Sequence, residues 1–250
     1  MRGETGAGAE RPRLTAEQQA AKAAILKKLR SQSYAIRLAY PETEAIQFLD
    51  DNPELLVELA EFCLEKIRWL TSGDAQECYA AGQFTFAALK DFDWQKIHGL
   101  VSHEARECYK KKYCTFAALK DFEAEKIRAL TSHFTRVCYA AEHCTFADLK
   151  DFDWQKIHGL VSQEARECYA NPKLDVDFAK LSRFETDQIY TILDNVHLME
   201  GPEAIPTFDK LLERLQIPVP GRLTKRALAA ARVMVASAEA GDDLEDKGSP

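Results

Sequence analysis

The chain has 250 residues, enough to bury one or two substantial cores, and 46% hydrophobic with 29% charged residues sets it apart from disordered chains. A net charge of −7 disfavours a surface built to neutralise phosphates, so nucleic acid ranks low as a partner. No run approaches the ~20 apolar residues of a membrane span, and seven cysteines behind a start with no apolar leader predict free thiols in a reducing, cytoplasmic setting.

Residues 1–14 read as a disordered tail and 15–54 as a helical N-terminal cap. Thr15 is placed to cap a helix that runs through Ala24, Ile25 and Leu29. From 55 onward the chain repeats with a period of 30 residues. TFAALKDF stands at 85–92 and again at 115–122, and TFADLKDF follows at 145–152. DWQKIHGLVS recurs at 93–102 and 153–162, and EARECY at 104–109 and 164–169. Sliding by 30 brings Leu59, Phe62, Lys66, Ile67, Leu70, Ser72, Ala75, Cys78 and Tyr79 into the same register. The array therefore spans 55–206, in units 55–84, 85–114, 115–144, 145–176 and 177–206. The unit before the last carries a two-residue insertion, and the last is degenerate. A vestige opens at Thr207-Phe208, followed by a predicted capping helix from Leu223 to Ala240 and a tail at 241–250. Units alternate A-B-A-B, as a 60-residue block copied once would.

Within 85–114, three helix starts are legible. Thr85, Asp93 and Ser102 are good N-cap residues, each followed by apolar residues at helical spacing. Phe86, Leu89 and Phe92 form the first stripe, Ile97 and Leu100 the second, and Ala105, Cys108 and Tyr109 the third, with Gln95 and Lys96 directed outward. Were the first helix to continue, Asp93 would fall on the apolar stripe, so a break there is cheaper. The alternative is two helices, the first kinked near Asp93. Such short helices are marginal alone, and one unit cannot bury its own apolar face. The expected fold is all-α: an α-solenoid of stacked 30-residue units with about three short helices each, capped by helices at both ends.

Several residues that could carry chemistry recur with the repeat. Cys78, Cys108, Cys138 and Cys168 share one repeat position, as do Cys114 and Cys144 with Phe84. Stacked helices lie about 8–10 Å apart, too far for disulfides, and no CxxC-type spacing supports zinc, so packing is expected. His98 and His158 alternate with Arg68 and Arg128, which predicts a solvent-facing position. Asp91, Asp121 and Asp151, with lysines at 90, 120, 150, 96, 126 and 156, recur in identical context and suggest salt links or caps. Lys110-Lys111-Lys112 reads as a solvated face. Trp94 and Trp154 are equivalent, where other units carry Leu64, Ala124 and Thr186. They serve either as a local staple across the helix start or as exposed aromatic anchors. No phosphate loop, nucleophile motif or metal motif is present, so no catalytic residue, metal or cofactor is assigned.

The pattern TFxxLxxFxxxKIxxLxS followed by Cys-Tyr resembles short Leu/Phe-rich helical repeats of effectors secreted by intracellular bacteria, over roughly 55–215. The resemblance implies delivery into a host cell and binding of a host factor. It transfers no catalytic residue. Tetratricopeptide signature residues are absent.

Variation among the three strong units collects at the second-helix start and on the third helix. The expected function is a non-catalytic scaffold gripping a protein or peptide. The partner-facing residues are Trp94, Trp154, His98, Arg128, His158, His103, His133, Phe134 and Gln163. Modular nucleic-acid recognition is one alternative. An enzyme with its site in 177–240 is another, since the Asp194, His197 and Glu200 spacing places three polar groups on one helix side.

Overall fold

A computed structural model describes residues 13–31, 42–200 and 204–220. Among these residues every regular element is helical and no strand occurs. The expected helix from Leu223 to Ala240 and most of both tails lie outside the described residues. The chain falls into two compact units, one of 1–139 with 145–150 and the other of 140–144 with 151–250. The 30-residue period does not mark this division.

At the N-terminus, Thr15 forms a capping box with Gln18 and starts helix Ala16–Arg30, which buries Ala21, Ile25 and Leu29 four residues apart. This helix packs on Leu56–Glu61 and Leu64–Leu70. Its Lys28 Nζ donates to the carbonyls of Ala60 and Phe62, at 2.6 and 2.9 Å, covering acceptors that a short helix leaves open. Helix Glu42–Asp51 and a 3-10 turn at Pro53–Leu55 are the other described elements of the N-terminal segment.

Helices then recur at 30-residue intervals. The three strong units hold Phe86–Leu89, Trp94–Val101 and His103–Lys110; Phe116–Leu119, Ala124–Thr131 and His133–Ala140; Phe146–Leu149, Trp154–Val161 and Gln163–Ala170. Three helices per unit is thus the arrangement, not two with a kink. The caps are those expected: Thr85 accepts from the Ala88 amide, Asp93 from Lys96 and Ser102 from Ala105. In the last unit, Phe178–Leu181 and Thr186–Asn195 keep the pattern, but a 3-10 turn at Val196–Met199 takes the place of the third helix.

Each unit buries Leu, Ile and Leu at matching positions: Leu89, Ile97 and Leu100; Leu119, Ile127 and Leu130; Leu149, Ile157 and Leu160. Within each compact unit, second helices of successive repeats pack together. In the first compact unit, Leu64–Leu70 lies on Trp94–Val101 and that helix on Ala124–Thr131. In the second, Trp154–Val161 lies on Thr186–Asn195. Glycine permits the approach: a Cβ at Gly99 would sit 3.2 Å from Ile127 Cγ2, and one at Gly159 would sit 3.2 Å from Ile189 Cγ2.

The third-helix tyrosine closes each unit. The hydroxyls of Tyr79, Tyr109, Tyr139 and Tyr169 donate to the carbonyls of Leu70, Leu100, Leu130 and Leu160, at 2.8–3.1 Å. Those carbonyls lie in the last turn of the second helix, where no intrahelical amide reaches them.

Two expectations about the stripes need correction. Phe86 and Phe92 are half-buried, with only Leu89 of that trio in the core, because a four-residue helix is too short to turn all three inward. The lysine four residues after the second phenylalanine does not point away into solvent either. The ammonium groups of Lys66, Lys96, Lys126 and Lys156 lie over the rings of Phe62, Phe92, Phe122 and Phe152, 4.3–4.8 Å from the centroids. These recurring lysines therefore shield an aromatic face as cation–π partners, in place of the expected salt links or caps. Lys90 does make a link, to Glu58 at 2.9 Å.

Candidate partner-binding surface

The second helix starts after Asp93, Glu123 or Asp153 in the three strong units, and its first residue is exposed in two of them. Trp94 is 39% exposed and Trp154 42%, so neither ring is a buried staple. In the unit between them Ala124 is buried at the same position. The anchor reading of the two tryptophans fits this geometry.

The next outward position, one turn on, divides. Arg128 is exposed, and its guanidinium meets Glu125 Oε1 at 3.1 Å and the Ala124 carbonyl at 3.3 Å. His158 is exposed, with Trp154 edge-on at 5.8 Å. His98, expected to face solvent, is half-buried: Trp69 from the preceding unit stacks on it, with centroids 3.9 Å apart and planes 19° apart. Burial, and then the charge of Arg128, hold the His98 imidazolium below its usual pKa of 6.5. A tryptophan 29 residues upstream thus removes His98 from the free surface.

Third-helix starts follow the serine caps. His103, His133 and Gln163 are exposed as expected. His103 Nδ1 lies 2.9 Å from Arg106 Nη2, and Gln163 donates to Glu167 at 2.9 Å. Phe134 is 43% exposed beside His133, at 5.9 Å. The Arg106 guanidinium also pairs with Asp74 at 3.1 Å and with Glu77. These contacts hold the third helix to its neighbour below the exposed tips.

The structure adds a residue that the sequence comparison passed over. Tyr190, 43% exposed, occupies the same repeat position as His98, Arg128 and His158 once the two-residue insertion is counted. It lines one groove with Trp154, Gln155, Thr186 and Asp187. The 30-residue register, with the two-residue insertion counted, is the sequence signal that places Tyr190 at this position.

That segment does not form the expected cluster. Helix Thr186–Asn195 ends before His197, which lies in the 3-10 turn, and Glu200 accepts from Asn171 Nδ2 at 3.2 Å. Asp194, His197 and Glu200 therefore share no helix face.

The cysteines at the recurring position are buried. Burial pushes the Cys78 and Cys168 thiols up to about 11, which keeps the reactive thiolate scarce near neutrality. Cys114 is raised as well, by a hydrogen bond with Cys108 and by burial. Among the described residues no group of three or more His, Cys, Asp or Glu side chains is placed to hold a metal ion, and no helix is long and apolar enough to cross a membrane. No protein-family model, curated protein or solved structure matches the chain.

Proposed function

We propose that the 30-residue units stack as a short α-solenoid and that the chain is a non-catalytic scaffold gripping a protein or peptide. The carrying observation is the exposure of large aromatic rings where nearly identical units differ. Trp94 and Trp154 alternate with a buried Ala124, and Phe134 stands where Glu104 and Glu164 stand in neighbouring units. Exposed aromatic side chains fixed at helix starts cover a large area at little rotamer cost, and aromatic residues are enriched in protein interfaces. Third-helix tips bearing His103, His133 and Gln163 supply a polar rim. Packing of equivalent second helices within each compact unit supports the stacked arrangement. On the effector resemblance, the partner belongs to a host cell.

The test is selection of a displayed random peptide library on the full chain. Recovered peptides should lose about tenfold or more in affinity for a Trp94→Ala/Phe134→Ala/Trp154→Ala variant with an unchanged helical circular dichroism spectrum. A selection that yields no sequence family, or peptides indifferent to the triple variant, sinks the proposal.

A further inference from the structure

The groove lined by Trp154, Gln155, Thr186, Asp187 and Tyr190 lies between two second helices of the second compact unit. Its volume is about 450 Å3, within the roughly 300–1,000 Å3 range of sites that accept a small ligand. Both of its large rings are exposed. Tyr190 is held at the base: a Cβ on Gly159 would lie 3.6 Å from Tyr190 Cζ, so the ring rests on the glycine backbone. The lining holds one carboxylate, Asp187, and no lysine or arginine. Among the described residues Asp187 makes no ion pair, and Asp194 stands exposed further along the same helix.

The first compact unit holds a comparable set of residues. There the same repeat positions hold Trp94, Ala124, Glu125 and Arg128. The chain itself supplies a guanidinium, which pairs with Glu125 at 3.1 Å. In the second compact unit the tryptophan and the acid are kept, as Trp154 and Asp187, while the arginine is replaced by Tyr190. A second ring is gained and the internal cation is gone.

Resting on the scaffold reading above, we propose that this groove receives an arginine side chain from a basic peptide segment of the partner. A guanidinium is planar, is weakly hydrated for a cation, stacks on aromatic faces and pairs with a carboxylate in a fork geometry. An apolar side chain would cover Asp187 without offering it a hydrogen bond, and an anion would meet a carboxylate in a chain of net charge −7.

The experiment uses the full chain and a fluorescein-labelled Gly-Ser peptide carrying two arginines, read by anisotropy at ~0.05 M salt, where exposed charges are weakly screened. Versions with citrulline, lysine or leucine in place of arginine complete the panel. The arginine peptide should bind about fivefold or more tightly than the citrulline and leucine versions, with lysine between. Asp187→Asn should weaken it about threefold and Trp154→Ala/Tyr190→Ala about tenfold, while the charge-matched Glu213→Gln stays within twofold. Equal binding of the citrulline peptide, or an unchanged affinity in Asp187→Asn, overturns the proposal. Tighter binding of the leucine version, still lost in the double aromatic variant, overturns the arginine assignment and leaves the scaffold reading standing. No binding by any version, together with an empty library selection, removes both.

Discussion

The tyrosine after each recurring cysteine is kept for its hydroxyl as much as for its ring. Tyr109 is buried, and the Leu100 carbonyl it serves, 2.9 Å away, lies in a helix end with no other amide at hand. Tyr109→Phe should lower stability by about 1–1.5 kcal/mol, because a buried acceptor loses its partner. The measurement is a urea titration, and Tyr169→Phe, at a half-buried position, should fall by less. His98 offers a second check. Its folded pKa is depressed by burial and by Arg128, so as pH falls the unfolded chain takes up the proton first. The stabilisation is complete above pH 6.5 and is lost as pH drops from there through the folded value. A proton NMR titration should place the His98 midpoint below 6.5, and Arg128→Gln should move it upward. A midpoint at or above 6.5 in the native chain would show that Trp69 does not cover the ring.

Helix starts carry much of the design at the next scale. Asp93 and Asp153 each accept a hydrogen bond from the amide three residues on, but Glu123, the matching residue between them, makes no side-chain cap bond. One extra methylene carries the carboxylate past the amide it should meet. Glu123→Asp should therefore stabilise the chain by about 0.5–1 kcal/mol, a rise of about 1–4 °C in Tm for a chain of this size. No rise would mean that helix Ala124–Thr131 is positioned by its packing alone. At the other end, third helices close with a left-handed residue: φ is +67° at Gly82, +60° at Lys112 and +57° at Glu142. In the first two, the amide of the next residue reaches back to the carbonyl of the recurring cysteine, Gln83 to Cys78 and Tyr113 to Cys108. Only one of the three is glycine, so the turn is imposed by these closing bonds and by the buried residue that follows, Phe84 or Cys114.

For the whole molecule, charge and aromatic exposure point the same way. A net charge of −7 and a groove with a carboxylate but no basic residue favour a basic partner over a polyanion. The full chain should pass through a heparin column at ~0.15 M salt without retention. Retention that disappears at high salt would revive the nucleic-acid alternative. The two compact units also differ at equivalent positions: one carries Arg128 paired with Glu125 on the same helix, and the other carries Tyr190 beside Asp187 in a groove.

The period, the three helices per unit, their caps and the buried Leu-Ile-Leu core were legible in the sequence, because each depends on residues within a few positions of one another. Lys96 over Phe92 follows the same local rule, at a spacing of four, but an outward register alone does not distinguish a salt link from a ring contact. What only the tertiary structure decided is which copy of a repeated position stays open. His98 lies under Trp69, 29 residues earlier, and Trp154 gains Tyr190, 36 residues later. A repeat equalises a position only as far as its neighbours are equal. Exposure is set by the side chain that the adjacent helix lays on it, and packing chooses that partner across a distance that periodicity does not encode.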